Sequence, residues 1–168
     1  MNIALIGIGM VAETHINAIQ SSSHGLRLCG VLGRDAAKTA QFAAIHQTLA
    51  FPSIDAIALD LSIDMVIIAT PPDARLEAVQ KLASAGKPIL LEKPIERTLN
   101  AAREIVEICD KATVPLGVVF QQRMRAASIV LKEALASNRL GTIVSVEIRV
   151  PWWRDQAYYD EQGRGTYA

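Results

Sequence analysis

MNIALIGIGMVAETHINAI, residues 1–19, sets an apolar run, a glycine-punctuated turn and an amphipathic stretch end to end. Ile3–Ile6 reads as a short buried strand. Gly7-Ile8-Gly9-Met10-Val11-Ala12 follows it as a G-x-G-x-x-A sequence opening a helix. In such a turn Gly7 permits the tight bend and Gly9 lets backbone N–H groups approach a pyrophosphate. A small residue at position 12 allows the helix to pack closely on the strand. Glu13, His15 and Asn17 interrupt the apolar run and no basic leader precedes it, which argues against a secretion signal.

Further along the chain, apolar runs recur at Leu26–Leu32, Met65–Ala69, Pro88–Leu91 and Val114–Phe120, separated by segments with helical spacing. One such helix takes Asp73 as its N-cap, repeats Leu76, Val79 and Leu82, and stops at Gly86-Lys87-Pro88. A second runs from about Thr98 to Lys111, with Leu99, Ala102, Val106 and Cys109 on its apolar stripe. Strands as uniformly apolar as MVIIA (65–69) demand burial on both faces, which a parallel sheet with helices on either side provides. Right-handed crossovers then give an α/β, Rossmann-like doubly wound sheet. After about Gln121 the pattern changes: Ala126–Ala136 is helical, Asn138–Gly141 a turn, and Thr142–Val150 a strand. Both tryptophans and all three tyrosines lie within residues 152–168. The domain boundaries expected are 1–121 for the nucleotide-binding domain and 122–168 for the beginning of a second, incomplete one.

Composition narrows the partners. The 168 residues are 51% hydrophobic, with 17 Lys+Arg against 17 Asp+Glu, so the formal charge is zero. Neither nucleic acid nor an anionic membrane surface is served by such a balance. Cys29 and Cys109 sit in apolar segments without metal-ligand spacing and read as core thiols of a reducing, cytoplasmic compartment. No metal site is expected.

Two further stretches bear on chemistry. In NAD binders an acidic side chain about 20 residues beyond the glycines accepts hydrogen bonds from the ribose hydroxyls, whereas an arginine accommodates a 2′-phosphate. Here the strand LRLCGVL ends in Gly33-Arg34-Asp35: Gly33 stands at the expected acidic position and leaves room, and Arg34 offers a planar donor fork. NADP is favoured, with NAD as the alternative. Asp35 could instead cap the next helix and leave Arg34 a solvated surface residue. The second stretch is Glu92-Lys93-Pro94, directly after the run Pro88–Leu91. Carboxyl ends of strands face the ligand crevice in open α/β sheets, which directs Lys93 toward cofactor and substrate; the alternative is a solvated turn.

Together GIGMVAETH, IIATPPD, GKPILLEKPI and VPWWRDQAYYD resemble the glucose-fructose oxidoreductase, inositol dehydrogenase and MocA family of dehydrogenases over essentially the whole chain. The resemblance implies that Gly7, Gly9, Met10 and Val11 touch the diphosphate and that Thr70 and Pro71 lie beneath the nicotinamide. It implies Glu92 and Lys93 at the reacting end, and Gln121 and Arg123 approaching nicotinamide and substrate. Arg75 stands where many members have histidine, and Ala12 is a tolerated variant of the third glycine. His15 matches a histidine frequent on the family's first helix and reads as structural, while His24 and His46 read as solvated.

Members of that family move a hydride between the nicotinamide and a hydroxyl-bearing carbon of a sugar or polyol. Such a reaction needs a positioned acid or base. Lys93 can hydrogen-bond the reacting oxygen and take part in the proton transfer. The family's usual partner is a histidine of the second domain, and this chain has none after His46. The expectation is therefore a nucleotide domain followed by the start of a truncated substrate domain, whose open sheet would form a homo-oligomer in the full-length protein. By itself the chain is expected to be inactive. The competing reading is a non-catalytic NADP-binding module that senses cofactor state or supports an assembly.

Overall fold

The computed structural model describes residues 1–160, which divide into two compact units, Met1–Arg123 and the residues from Met124 onward. The first unit alternates strands and helices: β1 (Asn2–Ile6), α1 (Ala12–Gln20), β2 (Arg27–Leu32), α2 (Ala36–Ile45), β3 (Leu49–Ala50), α3 (Ile54–Leu59), β4 (Met65–Ile68), α4 (Leu76–Ser84), β5 (Ile89–Glu92), α5 (Leu99–Lys111) and β6 (Leu116–Val119). The second unit contains α6 (Ala126–Ala136) and α7 (Gln156–Asp160). Residues 161–168, with Tyr167 and the end of the expected second domain, lie outside the described residues.

All six strands pair in parallel, in the order β3-β2-β1-β4-β5-β6. β1 lies at the centre, and the order reverses between it and β4. The uniformly apolar strands follow from burial on both faces. Ala4, Ile6, Val66, Ile68, Ile89 and Leu91 point to one side, where they pack with Ile57 of α3, Val79 and Leu82 of α4, and Ile105 and Cys109 of α5. Ile3, Leu5, Val31 and Ile67 point to the other, against Ala12, Ile16 and Ile19 of α1 and Ala43 of α2. Each fully buried Leu, Ile or Val contributes about 1.5–3 kcal/mol through removal from water, so these two layers dominate the stability of the unit.

Side-chain caps set three of the helix starts. Asp35 accepts the Lys38 N–H at 3.0 Å, Ser53 the Ala56 N–H at 3.1 Å, and Thr98 the Ala101 N–H at 3.2 Å. At the amino end of the sheet the chain ties itself together. The buried Lys87 ammonium donates to the carbonyls of Asp60 (2.6 Å) and Ile63 (2.9 Å), and Asn2 bonds Ser62 and Asp64 through its side chain and backbone N–H.

Several local expectations change. Asp73 caps no helix: it lies in a 3-10 turn, Pro72–Ala74, and its carboxylate pairs with Arg97 at 2.7 Å, while α4 begins three residues later. The buried side of α5 is Ile105 and Cys109, whereas Leu99 and Val106 are 65% and 40% exposed. Turning the stripe from Val106 to Ile105 is a rotation of one position, about 100°. β3, two exposed residues at the sheet edge, has no apolar periodicity to announce it. Thr142–Val150 forms no strand among the described residues; its side chains are exposed, and an extended segment counts as a strand only when another pairs with it. Cys109 is buried as expected, and that burial raises its thiol pKa; Cys29 is only partly so. No helix among the described residues is long and apolar enough to cross a membrane.

The corrected face of α5 is testable. Ile105→Ala should lower unfolding free energy by about 2–5 kcal/mol, and Val106→Ala by less than about 1 kcal/mol, in urea titrations followed by circular dichroism. Equal losses would return Val106 to the core.

Candidate functional site

Because every strand runs the same way, the sheet gathers its carboxyl ends along one edge. In strand order these ends carry Arg34 after β2, Gly7–Val11 after β1, Thr70–Pro71 after β4, Glu92–Lys93 after β5 and Gln121–Arg123 after β6. The reversal between β1 and β4 opens a crevice there, since the connections from the two strands leave toward opposite faces.

Gly7 shapes that crevice. It has φ 102°, and a Cβ on it would stand 2.7 Å from the Ala69 carbonyl carbon and 2.9 Å from the Thr70 nitrogen. A side chain is thus excluded twice, by backbone conformation and by space. The Gly7 N–H donates to Leu32 and the Ala69 N–H to Ile6, both at 2.7 Å, which locks the turn between β2 and β4. Gly9, by contrast, faces open space. Ala12 is completely buried against the sheet, and Val11, just before α1, offers no side-chain cap. Met10 is exposed at the turn.

On the β2 side, Gly33 does not leave the room expected of it. A Cβ there would meet the Thr39 hydroxyl at 2.7 Å and the Ile8 side chain at 2.8 Å, so Ile8 of the glycine turn already fills the space. Arg34 is exposed and its guanidinium has no partner among the described residues. Asp35 does cap α2, and the Lys38 N–H holds its carboxyl below the usual carboxylate range. The cap reading of Asp35 is therefore correct, and it leaves the Arg34 guanidinium unengaged.

Across the crevice, Arg75 is the residue that sequence reasoning underrated. Only 2% exposed, it donates through Nε and Nη2 to the Thr70 carbonyl (3.0 and 2.7 Å). Through Nη1 it donates to the carbonyls of Glu92 (2.5 Å), Pro94 and, more weakly, Ile95 (3.4 Å). Burial pulls its pKa down from the ordinary arginine range, with the charges of Glu92, Glu96 and Asp73 opposing. A signal for it existed in the sequence, since Arg75 is in phase with Val79 and Leu82 on the buried stripe of α4.

Glu92 turns its carboxylate inward. His15 Nε2 donates to it at 2.9 Å, and both side chains are about nine-tenths buried. The Lys93 N–H donates to the other oxygen at 3.1 Å. The structural reading of His15 thus gains a partner: it joins α1 to the end of β5. Lys93 itself is exposed and its ammonium has no partner among the described residues. The Lys93-Pro94 peptide is cis. Gln121 and Arg123 are exposed in the 3-10 turn after β6, with the Arg123 guanidinium 5.2 Å from the Phe120 ring centre. His46 is not solvated; it lies 3.0 Å from Glu13 and stacks obliquely on Phe42.

The fit of a dinucleotide rests on two features of this edge. Gly9 leaves its surroundings open, where a larger residue would project into a ligand. The Thr70 hydroxyl is buried with no hydrogen-bond partner, an arrangement that costs free energy until something supplies one.

Comparison with known proteins agrees with this geometry. The family described as "Oxidoreductase family, NAD-binding Rossmann fold" matches residues 1–120. Inositol 2-dehydrogenase 2 of Saccharopolyspora erythraea is 32% identical over 148 residues, covering 84% of this chain and 42% of that protein. The 1,5-anhydro-D-fructose reductase of Ensifer adhaerens is 29% identical over 146 residues, covering 86% and 43%. Among solved structures, the WlbA dehydrogenase of Chromobacterium violaceum, in complex with NADH and UDP-GlcNAcA, superposes with a TM-score of 0.88 at 30% identity. That match covers 99% of this chain and 48% of the other. The chain spans less than half the length of the curated relatives it matches.

The two glycines of the turn should behave oppositely when given a side chain. Gly7→Ala should destabilise by at least about 1–3 kcal/mol, because φ 102° and the Ala69 carbonyl both resist a Cβ. Gly9→Ala should change stability by less than about 1 kcal/mol. Chemical denaturation midpoints decide it, and indistinguishable midpoints would refute the close approach of Gly7 to β4.

Proposed function

The chain belongs to the oxidoreductase family with an NAD-binding Rossmann fold, and from that premise we propose that its crevice holds NADP(H) for hydride transfer to or from a sugar or polyol. The observation that carries this reading is the pairing of the open space at Gly9 with the orphaned, buried hydroxyl of Thr70 across the β1/β4 reversal. The backbone of Gly7, Gly9, Met10 and Val11 would hold the diphosphate at the uncapped start of α1, where peptide N–H groups and the helix dipole favour negative charge. Thr70 and Pro71 would support the nicotinamide.

When bound, the nicotinamide supplies the site that gives or takes the hydride. Everything else falls to side chains. Lys93, on an unengaged stem at the end of β5, would hydrogen-bond the reacting oxygen and hold its proton. Glu92 would keep that loop oriented through His15, with Gln121 and Arg123 bordering the substrate side. Inositol, anhydrofructose and UDP-sugar acids in the names of the relatives share a polyhydroxylated ring, and a substrate of that class is assigned here. Since the chain spans under half the length of those relatives, the complete reaction is assigned to this domain acting with a substrate domain. The relatives' dehydrogenase and reductase names favour that enzymatic role over a sensor module.

Cofactor preference rests on Arg34. The Cβ position of Gly33 is filled by Ile8 and Thr39, so no acidic side chain receives the ribose hydroxyls, and the adjacent guanidinium is unengaged.

In fluorescence titrations NADPH should bind more tightly than NADH, and Arg34→Ala should remove most of the difference, about 1–3 kcal/mol or 5- to 150-fold. Equal affinities in the unaltered chain would reject the NADP preference. Lys93→Ala should leave NADPH affinity within about threefold while abolishing turnover in an active enzyme carrying this domain. Retained turnover would remove Lys93 from the chemistry.

A further inference from the structure

We infer that Arg75 is a positioning residue that makes the Thr70–Pro71 turn and the Glu92–Lys93–Pro94 loop a single rigid wall for the nicotinamide half of the dinucleotide. This rests on the proposal above that the nicotinamide lies between Thr70 and Lys93. The two segments follow neighbouring strands; Arg75 joins them from within, while the half-exposed Asp73–Arg97 pair links the same loops further out. Its planar fork reaches the Thr70 carbonyl on one side and the carbonyls of Glu92 and Pro94 on the other. Among the described residues no carboxylate pairs with it, and the neighbouring acids have other partners: Glu92 has His15, Asp73 has the Arg97 guanidinium and Glu96 the Arg97 N–H. The buried charge is thus stabilised by peptide dipoles, and those dipoles belong to the backbone that carries Thr70 and Lys93.

Geometry makes the arrangement specific to arginine. Nε and Nη2 converge on the Thr70 carbonyl while Nη1 reaches the Glu92 and Pro94 carbonyls, a fixed fork that a single ammonium on a flexible stem cannot reproduce. The Glu92 peptide is also held from both flanks. Arg75 takes its carbonyl, His15 takes its carboxylate, and the same carboxylate takes the Lys93 N–H. Loosening Arg75 would therefore free the base of the Lys93 stem, whereas the Gly7–Val11 turn, to which it makes no hydrogen bond, stays held by the Gly7–Leu32 and Ala69–Ile6 bonds.

The experiment separates the two halves of the ligand. Arg75→Lys and Arg75→Gln are titrated with NADH against ADP-ribose, and with NADPH against 2′-phospho-ADP-ribose, alongside thermal melts. At least a tenfold loss for the nicotinamide-bearing ligands is expected, with less than a twofold change for the nicotinamide-free ones. Parallel loss of both members of a pair would make Arg75 merely structural and overturn the inference. Failure of the unaltered chain to bind any of the four would instead overturn the dinucleotide reading on which it rests. Should both variants fail to fold, amide hydrogen exchange on the unaltered chain decides. NADH or NADPH, but not the nicotinamide-free ligands, should slow exchange at Thr70, Lys93 and Ile95 together by fivefold or more. Protection of one segment without the other would overturn the inference.

Discussion

Only hydrogen fits on the Cα of Gly7. Its Cβ position lies against the carbonyl of Ala69, so the turn leaving β1 and the segment leaving β4 are in backbone contact at the place where the sheet order reverses. Were the two held a side chain's width apart, the start of α1 would no longer sit over the ends of both strands. Ala12 could not then be wholly buried, and the Thr70 backbone would not lie against the Gly7 turn. The crevice is thus a consequence of close packing between two main chains, and the side chains around it elaborate that contact.

Much of this was legible in the sequence because it depends on local, periodic rules. Two-sided burial forces strands such as MVII to be uniformly apolar, and glycine at position 7 has a steric reason that holds in any protein of this topology. Thr98 announces its helix for the same local reason, a side chain that accepts a first-turn N–H. Where one rotational position decides between buried and exposed, periodicity alone misjudges it: Ile105, not Val106, is the apolar contact of α5. Asp73 reads as a cap by type, yet a tertiary partner, Arg97, claims it.

The candidate site was legible as a set of positions but not as a network. Glu92 and Lys93 could be placed at a strand end from pattern, and Thr70 through the family resemblance. That Arg75 ties the first two together, and that His15 holds the carboxylate of Glu92, depends on contacts between residues 5, 17 and 77 positions apart in the chain. No short-range rule reports such distances. Arg75 shows the limit well: its phase on α4 marked it as inward-facing, but a charged residue on an apolar stripe is informative only once its acceptors are known. Gly33 shows another, since an absent side chain reads as vacant space until a neighbour such as Ile8 is seen to fill it.

The buried ammonium of Lys87 has a bearing on how such a domain can change over time. It and Asn2 stitch the amino end of the sheet with bonds that are complete within the chain. The opposite end leaves the Thr70 hydroxyl buried without a hydrogen-bond partner among the described residues. The amino end thus serves foldedness alone, whereas the carboxyl end serves both foldedness, through Gly7, and ligand choice. Exposed positions of the carboxyl-end loops, such as Arg34, Lys93, Gln121 and Arg123, can change without disturbing Gly7 or Arg75, so one scaffold can vary what it binds while the contacts that hold its loops stay in place.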